Sequence, residues 1–236
     1  EIGVRLVGSE MCIRDSCYIH KGDSKHGIDT NDIIKLNSFN APVSKNKNGE
    51  YRIKSGQIVY LCFYSDFLLP EADEWRSECW QMIKERSDLH FIFLTKRIER
   101  FMDCIPDDWS CGYDNVTVGC TIENQGRADE RLSLFNELPI KHKNIICQPM
   151  ISAVNLEKYL MGVELVVVGG ESDKAARPLN YDWVLAVREQ CVKANVSFEF
   201  RQCGTYFVKD GKKYTLQVRD LCAQARKADI DWRRSP

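Results

Sequence analysis

The sequence predicts an α/β fold, a partial or closed parallel β/α barrel of the TIM-like kind. Three observations carry this expectation. Short apolar runs alternate with amphipathic stretches along most of the chain. The apolar runs start roughly 20 to 30 residues apart, the repeat of a βα unit. The runs are also nearly continuous in apolar residues, as are strands of a parallel sheet covered on both faces. A doubly wound sheet is the alternative that the same alternation allows.

"QIVYLCFYSDF" (57–67) reads as the first strand, an apolar run that ends in polar groups. "PEADEWRSECWQMIKERSD" (70–88) reads as a helix. Pro70 and the acids mark its start, and Trp75, Cys79, Met82 and Ile83 share one face. "LHFIFLTKR" (89–97) is the second strand, and "RIERFMDCI" a short helix after it. "NVTVGCTIEN" (115–124) is the third strand, succeeded by a helix around Ala128, Leu132 and Phe135. "KNIICQP" (143–149) is the fourth, with a short helix near Leu156 to Leu160. "ELVVVGGES" (164–172) is the clearest buried strand. "NYDWVLAVREQCVKAN" (180–195) is a helix whose apolar face includes Val184, Val187 and Cys191, and "VSFEFRQCG" (196–204) closes the series.

The flanks differ. Residues 29–56 are polar, and "NAPVSKNKNGEYRIKSG" carries an Asn48-Gly49 turn signal expected to make a surface hairpin or loop. The first 16 residues join no periodic pattern with the rest of the chain and resemble a translated sequencing-adapter stretch. They are expected to be a non-native tail, which puts the native beginning before Cys17. Residues 17–236 are expected to form one barrel domain with an N-terminal polar loop and a C-terminal hairpin and helix.

Composition narrows the function. The chain has 236 residues, enough for a core without a disulfide scaffold. Lys and Arg number 33 and Asp and Glu 34, for a net charge of −1, so bulk charge does not argue for nucleic acid or a membrane surface. No run approaches a membrane span, and "IGVRLVG" is too short for a signal core. Eleven cysteines form an odd set, expected to be free thiols in a reducing cytoplasm. Cys62, Cys120 and Cys147 sit in apolar runs and are expected to be buried within strands. His20, His26, His90 and His142 lack metal-ligand spacing, and Trp75, Trp80 and Trp183 read as packing residues in helices.

Chemistry is expected where the strands end. The apolar runs terminate in Ser65-Asp66, Thr95-Lys96-Arg97, Thr121-Ile122-Glu123-Asn124, Gln148-Pro149, Gly169-Gly170-Glu171-Ser172 and Arg201-Gln202. In a β/α barrel the carboxyl ends converge on one mouth, so Ser65, Asp66, Lys96, Glu123, Glu171 and Arg201 are expected to face one cavity suited to a polar ligand of both charge signs. Gly169 and Gly170 would let backbone amides approach that ligand. No G-x-G-x-x-G and no P-loop is present.

The stretches "CYIHKGD", "YLCFYSDFLLPEADEWR", "FIFLTKRIERF", "VTVGCTIENQGRADERL", "VVVGGESDKAARPLNYDWV", "FEFRQCG" and "AQARKA" resemble a phage and prophage family of three-cysteine-motif proteins. That family is a domain of unknown function related to radical S-adenosylmethionine enzymes, and spore photoproduct lyase is the closest of these in style. The resemblance implies a partial β/α barrel with a three-cysteine loop that holds a four-iron cluster, S-adenosylmethionine on its open iron, and a cytoplasmic site in a host cell. It implies Ser65 and Asp66 near the ligand's amino group and Glu123 near its ribose. Lys96, Arg97 and Arg201 would meet a carboxylate or a phosphate-bearing substrate, and Cys17 is the implied metal ligand.

Two departures stand out. A C-x3-C-x2-C run ending at Cys17 needs cysteines where Glu10 and Arg14 stand, and Cys12 has the wrong spacing. The cluster and S-adenosylmethionine are therefore expected in the native-length protein and neither in this chain. Gln148 stands before the proline where the family tends to have an acid. Three readings are open. One is a radical S-adenosylmethionine-like phage protein acting on nucleic acid or nucleotides, a lyase or transferase without a membrane association and with an unidentified phage-encoded partner. The second is a barrel that binds ligand or nucleic acid without radical chemistry. The third is a doubly wound methyltransferase-type enzyme.

Overall fold

The computed structural model describes residues 4–5, 34–63 and 65–235. The six apolar runs all become strands: β3 (Ile58–Leu61), β4 (His90–Thr95), β5 (Val116–Thr121), β6 (His142–Cys147), β7 (Val163–Gly169) and β9 (Ser197–Gln202). Before them, β1 (Val4–Arg5) pairs antiparallel with β2 (Ile34–Lys35). A two-residue strand β8 (Leu179–Asn180) lies between β7 and β9 in the chain. The helices are α1 (Asp73–Glu85), α2 (Phe101–Cys104), α3 (Gln125–Glu137), α4 (Tyr181–Lys193) and α5 (Leu221–Lys227). The short helix expected near Leu156 is a 3-10 turn over Glu157–Tyr159.

The sheet order is β3-β4-β5-β6-β7-β9, which is chain order without a reversal. β3 and β4, β6 and β7, and β7 and β9 pair in parallel. A doubly wound sheet reverses its order at a switch point. The order therefore suits the expected partial β/α barrel and excludes the doubly wound alternative, and with it the methyltransferase-type reading.

The chain divides into two compact units, Glu1–Gly119 with Leu138–His142, and Cys120–Glu137 with Lys143–Pro236. The core of the first is aromatic. Phe67 stacks on Phe93 at 4.4 Å, and Trp80 meets Phe67 and Trp109 edge-on at 5.2 Å each. Such pairs add to what their buried area contributes. Both indoles are buried and satisfied: Trp80 Nε1 donates to the Cys104 carbonyl and Trp109 Nε1 to the Pro139 carbonyl. The core of the second is aliphatic around Phe198 and Phe200. Val184, Val187 and Cys191 of α4 and Ala128, Leu132 and Phe135 of α3 are all fully buried, as the helical periodicity requires.

Local chemistry sets the helix ends. Asp73 and Glu74 occupy the first turn of α1 and Lys84 its last, complementing the helix dipole. Asn180 Oδ1 accepts the Asp182 N–H at 2.9 Å and caps α4, and Asn124 Oδ1 accepts the Arg127 N–H at 3.0 Å at the start of α3. The Asn48-Gly49 turn lies between Lys45 and Tyr51, which form a single antiparallel bridge, and Gly49 has φ +82°.

Two expectations need correction. The sheet is not covered on both faces throughout. In β3, Ile58 and Tyr60 are exposed while Val59 and Leu61 are buried, and in β9 Phe198 and Phe200 alternate with the half-buried Glu199 and exposed Arg201. The runs read as continuously apolar because the open face itself carries Ile58, Tyr60, Ile92 and Leu94. Cys120 and Cys147 are buried within strands as expected, but Cys62 lies just past β3 with φ +53°, a left-handed conformation that ends the strand.

Beyond β9 the chain makes a hairpin of β10 (Tyr206–Lys209) and β11 (Lys212–Thr215), whose β10 also pairs with β8. Its turn residues Asp210 and Gly211 have φ of +52° and +71°, the two positive values a tight hairpin turn uses.

Candidate functional site

Polar groups gather beyond the carboxyl ends of the strands, in one cluster in each unit. In the first unit the centre is Asp66, which is buried. Its Oδ1 accepts the Leu68 N–H at 3.0 Å and the Thr95 hydroxyl at 2.8 Å. Its Oδ2 accepts the Lys96 N–H at 2.8 Å and the Arg97 guanidinium at 3.2 Å. A carboxylate offers about four lone-pair sites, so Asp66 is fully used in tying the end of β4 to the loop after β3. Ser65 sits beside it, its N–H donating to the Cys62 carbonyl at 3.0 Å.

The second unit holds two carboxylate–guanidinium pairs. Glu123, just past β5, is 8% exposed and accepts from Arg131 Nη1 at 3.1 Å. Arg131 is 2% exposed, and the same nitrogen donates to the Thr121 carbonyl at 2.7 Å. Its Nε and Nη2 are buried without a hydrogen-bond partner. Glu171, just past β7, accepts the Arg177 N–H at 2.6 Å, Arg177 Nε at 3.1 Å, and Arg177 Nη2 on its other oxygen. Hydrogen bonding to Glu171 raises the Arg177 pKa, and the charge of Glu123 adds to it. Glu123 and Glu171 thus share one electrostatic neighbourhood, with their carboxylates held by opposite charges.

The loop after β6 lies between these ends. The Gln148–Pro149 peptide is cis. The Met150 N–H donates to the Gly169 carbonyl at 2.8 Å and the Ile151 N–H to the Glu123 carbonyl at 2.9 Å. A Cβ on Gly169 would lie 2.9 Å from the Gln148 side chain, which would have to shift. A Cβ on Gly170 would lie 2.8 Å from the Cys203 carbonyl, and the Gly170 N–H donates to the Gln202 carbonyl at 3.1 Å. The glycine pair therefore accommodates the approach of the chain to itself.

The candidate residues divide between the units. Ser65, Asp66 and Lys96 belong to the first, and Glu123, Gly169, Gly170, Glu171 and Arg201 to the second. Arg201 is exposed and pairs with Glu199 at 3.0 Å. Cys17, with Glu10, Cys12, Arg14, His20 and His26, lies outside the described residues. His90 Nε2 hydrogen-bonds the Thr117 hydroxyl at 2.7 Å.

Sequence reasoning missed both arginines of the second cluster. Arg131 had a signal, a cation on the same helical face as Ala128, Leu132 and Phe135, where a charge is retained only if paired. Arg177 had none, because its contact with Glu171 depends on the turn at 171–177.

A family model described as a protein of unknown function (DUF5131) matches residues 7–232. The chain belongs to this family. The match covers every described strand from β2 onward and also residues 7–16 of the stretch expected to be foreign. No curated protein and no solved structure matches the chain. Among the described residues no helix is long and apolar enough to cross a membrane.

Proposed function

We propose that this family member is a radical S-adenosylmethionine-like protein of phage or prophage origin that acts on nucleic acid or a nucleotide in the host cytoplasm. One observation supports this best: two charge-paired carboxylates, Glu123 and Glu171, stand just beyond parallel strands that run in chain order. In such folds ligands bind outside the carboxyl ends of the strands.

The donor set suits the organic part of the cofactor. Glu171 has three of its acceptor positions filled by Arg177 and keeps room for a hydroxyl or ammonium donor. Glu123 is the residue for the ribose hydroxyls. Arg201 is the cation for a carboxylate or a phosphate. Asp66 holds the end of β4 within the first unit through the Lys96 N–H and the Arg97 guanidinium. The cluster does not fit the described residues: no three thiols, histidines or carboxylates among them converge on a metal position. Its implied ligand is Cys17, which lies outside the described residues. When bound, a cluster of this kind supplies one-electron cleavage of the sulfonium.

Calorimetric titration of the native-length protein with S-adenosylmethionine and S-adenosylhomocysteine tests the reading. Binding to the wild type that weakens at least tenfold in Glu123→Gln and Glu171→Gln supports it. An absence of binding, or affinities that neither variant changes, overturns it. The second reading, a ligand- or nucleic-acid-binding barrel without radical chemistry, is favoured by the saturation of Asp66, which leaves that carboxylate no free position for a ligand.

A further inference from the structure

The β10–β11 hairpin contributes little to the core. All four residues of β11 are exposed, and of β10 only Phe207 is buried, where it meets Tyr181 at 5.6 Å. The hairpin is nevertheless fixed. The Thr205 N–H donates to the Glu171 carbonyl at 2.7 Å, the Leu216 N–H to the Thr205 carbonyl at 2.8 Å, and Tyr206 Oη to the Lys174 carbonyl at 3.0 Å. It is therefore rooted on the same turn that holds Glu171 against Arg177.

Its exposed chemistry is of one kind. Lys209, Lys212 and Lys213 lie on the two strands, and Lys174 lies on the adjoining turn. None of these four lysines makes an ion pair among the described residues. The acids on these segments are Asp210 in the hairpin turn, Asp173, and Glu171, which Arg177 holds. Aromatic rings interleave with the cations. Lys213 Nζ lies 4.2 Å from the centre of the Tyr206 ring and Lys209 Nζ 5.0 Å from that of Tyr181, while Tyr214 is 45% exposed. Ammonium groups that neutralise phosphates, beside rings that accept a base face, are the elements of a surface for single strands. Lysines on an edge strand also discourage sheet-to-sheet pairing. That role needs the charges and not the exposed rings.

We infer that the β10–β11 hairpin is a binding surface for single-stranded nucleic acid, which leads the strand toward the turn that carries Glu171. This deepens the nucleic-acid part of the proposed function and rests on it. Lys209 and Lys212, which share a face of the hairpin with Tyr214, contact phosphates while Tyr214 stacks on a base, and Lys213 on the opposite face meets the strand where it rounds the hairpin edge. A duplex presents no free base face to Tyr214 and binds less well.

Fluorescence anisotropy of the full chain with a labelled 15-nucleotide oligothymidylate and with a duplex of about equal length tests this, across a salt series. Wild type binds the single strand at least fivefold more tightly than the duplex. The triple variant Lys209→Gln, Lys212→Gln, Lys213→Gln loses at least tenfold in affinity, and its salt slope falls by about 2. Tyr214→Ala loses about fivefold with its salt slope unchanged. These positions are exposed, so an unchanged thermal midpoint shows that the fold is kept. Equal binding of duplex and single strand, equal binding of polyglutamate, or a triple variant that binds as the wild type does overturns the inference. The two proposals separate when the same variants are made in the native-length protein. If the hairpin variants keep their oligonucleotide affinity while Glu123→Gln loses S-adenosylmethionine, the hairpin inference alone falls. If the triple variant loses the oligonucleotide while S-adenosylmethionine does not bind any form, the cofactor reading alone falls.

Discussion

The Thr95 hydroxyl donates to Asp66 Oδ1 at 2.8 Å, so one side chain at the end of β4 is anchored to the loop after β3. Asp66 and Thr95 are both buried, and Arg97 pairs with the other carboxylate oxygen at 3.2 Å. Removing the carboxylate takes the shared acceptor from a hydroxyl, two backbone N–H groups and a guanidinium together. Asp66→Ala is expected to lower stability by about 3 kcal/mol. Asp66→Asn keeps part of the acceptor set and should cost less than the alanine change. Urea denaturation midpoints measure both, and a loss under about 0.5 kcal/mol for the alanine variant contradicts the anchoring role.

Arg131 and Glu123 form a pair that is almost wholly out of solvent. Breaking such a pair from one side leaves a charge uncompensated, whereas replacing both sides with apolar groups does not. Arg131→Leu alone is expected to destabilise by about 3 kcal/mol, and Arg131→Leu with Glu123→Leu to recover at least half of that. A double-mutant cycle by denaturant titration reads the coupling directly. Additive effects would show that the two side chains act independently.

The described cysteines should separate by reactivity. Burial pushes the Cys191 thiol up to about 12 and the Cys203 thiol up to about 11, and raises Cys79 and Cys147 as well. Cys111 and Cys222 are exposed. Brief iodoacetamide treatment at pH 8 and then peptide mass mapping should label Cys111 and Cys222 and spare the seven buried thiols among the described residues. The same shifts carry a stability term. An unfolded thiol titrates near about 8.5, so their contribution is complete below that pH and is lost as pH rises toward the folded values. Stability measured between pH 8 and pH 11 should fall accordingly, and prior labelling of Cys191 in the native state would overturn the assignment.

Gly170→Ala places a Cβ 2.8 Å from a backbone carbonyl that cannot step aside, while Gly169→Ala meets only the flexible Gln148 side chain. The first variant should lose about 2 kcal/mol or fail to accumulate, and the second should be restored by adding Gln148→Ala. Equal losses that Gln148→Ala does not relieve would show that both sites are limited by backbone.

Anaerobic reconstitution of this chain with iron and sulfide is expected to leave it without a four-iron cluster. Three thiolate ligands are required, and Glu10 and Arg14 stand where two of them belong ahead of Cys17. Iron analysis that returns about four irons per chain would sink this expectation.

Much of the architecture was legible because its signals are local. Periodicity located six strands and the buried faces of three helices, including Val184, Val187 and Cys191 on α4. Strand lengths were less legible. The run 57–67 keeps only four residues as strand, because the left-handed backbone at Cys62 turns the chain where composition shows only more apolar residues. Trp109 went unremarked in the sequence yet is a centre of the first unit's core, since its partners Trp80, Phe101 and Tyr113 come from three separate segments.

By itself the sequence determined the α/β class, the places where strands end in charge, and the family to which the chain belongs. These depend on the order of residues along the chain, and each is read within a window of one βα unit. Only the tertiary structure decided which cation meets which carboxylate. Arg177 reaches Glu171 across a turn, Arg131 reaches Glu123 from inside an apolar helix face, and Asp66 spends its acceptors on the end of the next strand. The reason is that charge pairing is set by distance in space, and a buried charge takes whichever opposite group the packing brings within a few ångströms.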